Sequence, residues 1–145
     1  FDSVVIIDFG ERLKSVLTSF MFSDVLSDKV DFFTINQWFD ETFFNENAML
    51  NLHFPSIDHE NLKKFNKKFF TTFKEESNKV SILAYDALGL IYYCWFNNNF
   101  QFEIEQLYNK KGFKGLHGEF FIKNNQSKQK LNIYKVSKKK FVKVY

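Results

Sequence analysis

The chain has 145 residues, of which 45% are hydrophobic, and this supplies enough apolar material for a folded core and excludes a disordered chain. Its formal net charge of +3 is too small to demand a nucleic-acid or membrane partner, and its single cysteine, Cys94, excludes an internal disulfide. We therefore expect one modest domain, or part of a larger one, with Cys94 as a small core residue.

The first element is an apolar, β-branched run at residues 4–7, which predicts a buried strand of a parallel sheet. Apolar residues at helical spacing then predict a helix over Glu11–Phe22. In open α/β sheets, ligands bind just outside the carboxyl ends of the strands. The turn between strand and helix therefore holds the first candidate site residues, which are Phe9, Gly10 and Glu11.

A second strand is predicted from Val30 to Ile35. Two strands joined by a crossover of helical length are expected to be parallel neighbours with a right-handed connection. The two turns that follow these strands would then lie side by side at one edge of the sheet. The second turn adds these candidate site residues: Asn36, Gln37, Trp38 and Asp40.

The middle of the chain reads as one short strand followed by helices. Alternating apolar residues over 50–54 predict a third strand, which Pro55 is expected to close. Asp58 is a predicted N-cap of an amphipathic helix whose lysine face is interpreted as solvated. Residues 81–96 are apolar on nearly all sides and predict a buried helix packed on the sheet, and a further helix is expected over 100–109.

The tail has a different character. Gly112, Gly115 and Gly118 are expected to permit tight turns, since their spacing does not fit a dinucleotide-binding loop. Strands are predicted at 119–122, 131–136 and 141–145. Together they predict an antiparallel meander attached to an α/β body.

No catalytic or metal-binding pattern stands out. The sequence has no nucleophile elbow, phosphate-binding loop or Cys-His signature, so an enzyme is the least favoured class and no cofactor is expected. His53, His59 and His117 lack the spacing of metal ligands, so no metal site is expected. The basic tail is interleaved with aromatic residues, but their alternation indicates buried sides of hairpin strands, and we expect no nucleic-acid partner.

The order of the segments resembles the second half of a type I periplasmic binding protein, the group that includes the Leu/Ile/Val receptors. The most specific likeness is AYDA at 84–87 together with the triple-glycine hairpin. The segment DFGERL (8–13), followed by that hairpin, is most similar to the penicillin-binding protein activators. The resembling segments run over nearly the whole chain and are VVIIDFGERL (4–13), VDFFTINQWFD (30–40), ENLKKFNKKFFTTFKEE (60–76), LAYDALGLI (83–91) and GFKGLHGEFFIKNNQSKQKLNIYKVSKKKFVKV (112–144).

The resemblance implies an α/β fold with three-layer, Rossmann-like parallel-sheet lobes and a C-terminal antiparallel hairpin. Residues 1–52 and 113–145 would belong to the C-terminal lobe, and residues 53–112 to part of the N-terminal lobe. The chain would cross between lobes near 50–56 and 110–118. The chain is expected to be a fragment that pairs with its missing half or dimerises, with the export signal outside these residues.

The resemblance further implies a non-catalytic, extracytoplasmic receptor of the ABC-transporter type, which binds an amino-acid-like ligand between lobes and works with a membrane permease. The alternative is a regulatory module that acts on a peptidoglycan synthase. Either would lie in the periplasm or be lipid-anchored to the outer face of a bacterial membrane. Tyr85 and Asp86 are expected to pack near the hinge rather than to touch ligand.

The implied ligand contacts are the two turns already identified, residues 9–11 and 36–38. An α-amino group needs a carboxylate partner in a dry cleft. This chain has Asn36 and Gln37 where the family usually has an acidic or small residue, so Glu11 or Asp40 would have to supply the carboxylate.

Overall fold

The structure is a computed structural model that describes residues 1–25, 28–35, 39, 41–116 and 118–145. It contains two compact units, which are residues 1–56 with 132–145 (unit 1) and residues 57–131 (unit 2). The strands are β1 (Ser3–Ile6), β2 (Asp31–Thr34), β3 (His53–Ser56), β4 (Phe113–Gly115), β5 (Gly118–Lys123), β6 (Gln126–Gln129), β7 (Asn132–Ser137) and β8 (Lys140–Lys143). The α-helices are α1 (Gly10–Phe22), α2 (His59–Phe73) and α3 (Lys79–Asn97), and 3-10 turns lie at Glu41–Asn45, Asn47–Met49 and Ile104–Tyr108.

Unit 1 is built on a five-stranded mixed sheet with the order β1-β2-β3-β7-β8. β1 pairs in parallel with β2, and β2 with β3, whereas β3–β7 and β7–β8 are antiparallel. The predicted parallel pairing of the first two strands is therefore confirmed. The predicted α/β class and its antiparallel closing hairpin, β7–β8, are confirmed as well.

The core of unit 1 lies on one face of this sheet. Leu13 and Leu17 of α1 are buried together with Ile6 and Phe32 from the sheet. The spacing of the two leucines places them on one side of the helix, as its apolar period predicts. Phe54 of β3 is 1% exposed and packs against other rings. Those rings are Phe39, Tyr134 and Phe141.

Two expectations about the strands of unit 1 are wrong. β1 is not buried on both faces, because it is an edge strand with α1 on one side only, and Val5 is 64% exposed. Pro55 does not end the third strand but lies inside β3, where it pairs with Ile133 of β7. Among the described residues, the pair between β2 and β3 is Phe33 with His53, and Pro55 lies two residues beyond it, where its missing N–H interrupts no pairing that these residues show.

Unit 2 holds α2 and α3 and a separate antiparallel sheet of order β4-β5-β6. The predicted cap of α2 is confirmed, since the N–H of Asn61 donates to Oδ1 of Asp58 at 2.9 Å. α3 has a similar cap, in which the N–H of Ser81 donates to Oδ1 of Asn78 at 2.9 Å. Each cap satisfies one of the donors that a helix start leaves free.

α3 covers the predicted residues, but the expectation that it is a buried helix is wrong. Ile82 and Cys94 on one side are each 3% exposed, and burial raises the pKa of the Cys94 thiol. The opposite side is open, and Leu88 is 68% exposed. The described elements of unit 2 besides α3 are α2, the 3-10 turn at Ile104–Tyr108 and the small sheet, and the exposure of Leu88 shows that they leave one side of α3 open. None of the helices in the described ranges is long and apolar enough to cross a membrane.

The predicted helix over 100–109 and the predicted single meander are also wrong. Asn99 and Phe100 both have positive φ, 50° and 64°, which ends α3, and only a 3-10 turn follows at Ile104–Tyr108. The tail strands divide between two sheets, because β5 pairs with β4 and β6 whereas β7 joins β3. The predicted turn at Asn124 and Asn125 is present, and both residues have positive φ.

Truncation of Phe54, the buried ring around which the aromatic residues of unit 1 pack, should strongly destabilise the protein. We expect Phe54→Ala to lower the free energy of unfolding by about 3–5 kcal/mol, because it leaves a cavity among packed rings. The control is Phe22→Ala, which truncates a ring that is 83% exposed and should change stability by less than about 0.5 kcal/mol. Urea titration followed by circular dichroism measures both, and equal losses would contradict this account of the core.

Candidate functional site

The carboxyl ends of β1 and β2 form the candidate site of unit 1. The two strands run in register from Ser3 opposite Asp31 to Ile6 opposite Thr34, so both end at the same edge of the sheet. Residues 8–11, which follow β1, and Thr34, which ends β2, define what we call the β1–β2 rim. This edge is the location at which open α/β sheets bind ligands.

A side-chain hydrogen bond ties the two halves of the rim together. Oγ1 of Thr34 donates to the backbone carbonyl of Asp8 at 2.9 Å, and Thr34 is only 3% exposed. Oδ1 of Asp8 in turn accepts from the N–H of Phe9 at 2.9 Å. These bonds hold the turn after β1 against the end of β2. Neither Asp8 nor Thr34 was among the predicted site residues, although a threonine between Phe33 and Ile35 was a visible signal.

Gly10 is the first residue of α1, and the space beside it on the β1–β2 rim is open. Its φ is +61°, a left-handed conformation that strains residues with a side chain, and a Cβ added there would meet nothing within 4 Å. Phe9, at the N-cap, makes no side-chain capping hydrogen bond. The side chain of the N-cap residue thus satisfies none of the first N–H groups of α1, and N–H groups at a helix start favour a negatively charged partner.

The other candidates in this turn are accessible. Phe9 is 63% exposed. The side chain of Glu11 is 86% exposed, and its Oε1 accepts from Nζ of Lys14 at 2.9 Å. Glu11 is therefore accessible to a ligand from solvent. Its position in the first turn of α1 also suits an acidic residue, because helix starts carry partial positive charge. Four predicted site residues lie outside the described residues; they are Asn36, Gln37, Trp38 and Asp40.

In unit 2, Asp86 of α3 anchors the glycine hairpin. Its Oδ1 accepts from the N–H of Leu116 at 2.7 Å, in the turn between β4 and β5. Gly115 lies directly against this carboxylate, since an added Cβ would stand 2.7 Å from Cγ of Asp86. The AYDA segment and the triple-glycine segment, which carried the family resemblance, are thus in direct contact. The carboxylate of Asp86 here serves to hold a turn.

The glycine triplet has two different roles. Gly112 and Gly118 have φ values of +71° and +100°, so they serve the turns as the sequence predicts. Gly115 has an ordinary φ and is needed for close packing. A cavity of about 620 Å³ lies beside this contact, between α3 and β4–β5, with Tyr85, Leu90 and Phe113 in its wall.

Among residues 1–25, 28–35, 39, 41–116 and 118–145, no group of three or more His, Cys, Asp or Glu residues is placed to hold a metal ion.

Solved structures resemble this chain along almost its whole length. A leucine-binding protein from Thermotoga maritima MSB8 matches with a TM-score of 0.65 and 13% identity over 99% of this chain and 44% of its own. A branched-chain amino acid ABC transporter periplasmic ligand-binding protein from Burkholderia xenovorans LB400 matches with a TM-score of 0.70 and 10% identity, over 99% and 43%.

A third match is a solute-binding protein of an ABC transporter from Rhodopseudomonas palustris BisB5, solved in complex with 3,4-dihydroxybenzoic acid. Its TM-score is 0.54 at 13% identity, over 94% of this chain and 41% of its own. No protein-family model and no curated protein matches the sequence. The chain spans less than half the length of these solved proteins.

These likenesses show the fold. The chain has the fold of part of a type I periplasmic binding protein, as the resemblance in the sequence predicts. These three solved neighbours are each named as a binding protein, and two of them as the binding protein of an ABC transporter.

The contact between Asp86 and Gly115 can be tested with two glycine substitutions of opposite expected sign. Gly115→Ala should destabilise the protein by about 1–3 kcal/mol, because the new methyl group overlaps the Asp86 carboxylate. Gly89→Ala, in the interior of α3 with nothing within 4 Å, should stabilise it by up to about 1 kcal/mol. Thermal unfolding of both variants measures the difference, and a neutral Gly115→Ala would show that the contact is loose.

Proposed function

We propose that this chain carries one wall of the ligand site of an extracytoplasmic solute receptor, and that the ligand is a small amino-acid-like molecule. The observation that carries the proposal is the β1–β2 rim. Two parallel strands end together there, and the Thr34–Asp8 hydrogen bond holds them at the open start of α1. The names of the solved neighbours support a binding role over an enzymatic one.

The chemistry of the rim suits a zwitterion. The N–H groups at the start of α1, which the N-cap residue Phe9 does not cap with its side chain, would receive a carboxylate, since helix starts carry partial positive charge. Asp8 and Glu11 lie within four positions of each other and would attract an ammonium group. The exposed ring of Phe9 would cover an apolar side chain of the ligand. Asn36, Gln37, Trp38 and Asp40 are proposed to complete the same wall.

This function places the protein outside the cytoplasm, in the periplasm or anchored by lipid to the outer face of a bacterial membrane, with a membrane permease as its partner. We propose that the segments 1–52 and 113–145 act as one lobe and 53–112 as part of the other. The units of the structure change after Ser56 and after Leu131.

Two first-turn glutamates give a matched test. Glu11 pairs with Lys14 in α1, and Glu60 pairs with Lys63 in α2, each at a spacing of three residues. We expect Glu11→Gln to weaken binding of an amino acid at least about tenfold, because a charged partner of the ammonium group is lost. Glu60→Gln should leave the affinity unchanged.

The measurement is a thermal-shift titration of the chain with L-leucine, L-isoleucine, L-valine, L-glutamate and 3,4-dihydroxybenzoate. A ligand at 100 times its dissociation constant should add about 2.7 kcal/mol of stability. If the two glutamate substitutions change the affinity equally, Glu11 acts only as an acidic residue at the start of a helix and does not contact the ligand. No shift with any compound would count against the receptor and favour the alternative, a regulatory module that acts on a peptidoglycan synthase.

A further inference from the structure

A second cavity of unit 2, with a volume of about 840 Å³, lies beside the β5–β6 hairpin. One of its walls is the hairpin, and the other is the chain at the end of the 3-10 turn. We call this cavity the hairpin cleft. It shares no described lining residue with the cavity beside Asp86, so it is a separate candidate site. Its walls include Tyr108, Lys110, Phe121, Lys123, Asn125 and Lys128.

The strand register gathers charge on one face of the hairpin. Phe121 of β5 pairs with Lys128 of β6, and Lys123 follows Phe121 by two residues. Successive residues of a strand point to opposite faces, so these three side chains share one face of the sheet. Phe120 points to the other face and lines the cavity beside α3. Two ammonium groups and one ring therefore face the hairpin cleft together.

Two contacts hold the rings of the cleft in place. The hydroxyl of Tyr108 donates to Oδ1 of Asn125, in the loop between β5 and β6, and so ties one wall to the other. The ring of Phe121 lies against Gly112, since a Cβ added to that glycine would stand 2.6 Å from Cε1 of the ring. A site whose side chains are already positioned loses less conformational entropy when a ligand binds.

The hairpin cleft is positively charged. Lys110, Lys123 and Lys128 line it and are exposed, and no acidic side chain among its described lining residues faces them. Within the described part of the chain, none of the three lysines forms an ion pair. Glu119, on the same face of β5, pairs instead with Lys130, at 3.5 Å between Oε2 and Nζ. Because burial of unpaired ammonium groups is costly, the cleft is suited to solvent and to dissolved anions rather than to packing in a protein core.

We propose that the hairpin cleft binds a phosphate-bearing ligand. A phosphate monoester carries a charge of about −1.5 to −2 near neutral pH and three strong acceptor oxygens, so it matches several ammonium groups better than a carboxylate does. Lysine is a common phosphate-binding residue in proteins. The rings of Tyr108 and Phe121 contact the organic group to which the phosphate is esterified. The proposal concerns unit 2 and is independent of the ligand role of the β1–β2 rim.

The test is an amide-resolved NMR titration of the ¹⁵N-labelled 145-residue chain with phenyl phosphate, inorganic phosphate and benzoate, at constant ionic strength. We expect saturable shifts at the amides of Tyr108, Asn125 and Lys128 with phenyl phosphate. Inorganic phosphate lacks the ring and should bind more weakly, and benzoate, which has the ring but a carboxylate, should bind about tenfold more weakly. Lys123→Gln and Lys128→Gln should each raise the dissociation constant of phenyl phosphate about tenfold, because each removes a charge-assisted hydrogen bond.

The matched controls are Lys67→Gln and Lys68→Gln, which remove the same charge from exposed positions of α2 that do not line the cleft. They should leave the dissociation constant unchanged, and circular dichroism should show that all four variants are folded. Equal losses from the hairpin and α2 substitutions would overturn the proposal, because binding would then depend on net charge alone. Benzoate that binds as tightly as phenyl phosphate would overturn the choice of phosphate.

Vesicles of phosphatidylcholine with phosphatidylglycerol distinguish a lipid headgroup from a soluble ester as the source of the phosphate. Saturable binding of phenyl phosphate supports a soluble ester. Cosedimentation with these vesicles that Lys123→Gln abolishes and Lys67→Gln does not, without binding of phenyl phosphate, supports a headgroup at a membrane surface. No binding of either phosphate compound or of the vesicles would overturn the proposal.

Discussion

The parallel pairing of β1 with β2 is the constraint on which the candidate site depends. Its register brings Ile6 opposite Thr34, so the two strands end level with each other. Level ends allow Oγ1 of Thr34 to reach the carbonyl of Asp8, and that bond positions the turn from which α1 begins. A shift of the register by one residue would send the Thr34 side chain to the opposite face and separate the two halves of the rim.

Unit 2 is organised by a comparable contact of a different kind. The Asp86 carboxylate holds the turn between β4 and β5 through Leu116, and only a glycine at position 115 allows this approach. The two segments that carry the family resemblance are thus coupled through one charged hydrogen bond and one missing side chain. The same contact directs the carboxylate of Asp86 away from the side of α3 on which Leu88 is exposed.

Local signals in the sequence predicted the local structure well. Helical spacing of Leu13 and Leu17 predicted α1, and Asp58 predicted the start of α2 through its capping chemistry. Errors arose wherever the answer depended on neighbours distant in the sequence. A helix that is apolar on all sides is normally buried, but the described elements pack against one side of α3 and leave the other exposed. The sequence of residues 81–96 does not by itself show which elements pack against them. The division of the tail between two sheets depends on strand pairing, which composition does not encode.

The candidate site was predictable in position but not in its bonding. The end of a strand followed by Phe9, Gly10 and Glu11 indicated a rim, whereas the Thr34–Asp8 bond depends on a register that only the folded sheet defines. The roles of Asn36, Gln37, Trp38 and Asp40 stay predictions. The lobe boundaries inferred from the resemblance stay a prediction in the same way.

The central claim is that the β1–β2 rim binds an amino-acid-like solute. The most direct test is an amide-resolved NMR titration of the uniformly ¹⁵N-labelled chain with L-leucine and with L-glutamate. We expect saturable shifts at the amides of Phe9, Gly10, Glu11 and Thr34, with little change around the cavity beside Asp86. Saturable shifts confined to unit 2, or an unchanged spectrum at millimolar amino acid, would contradict the claim.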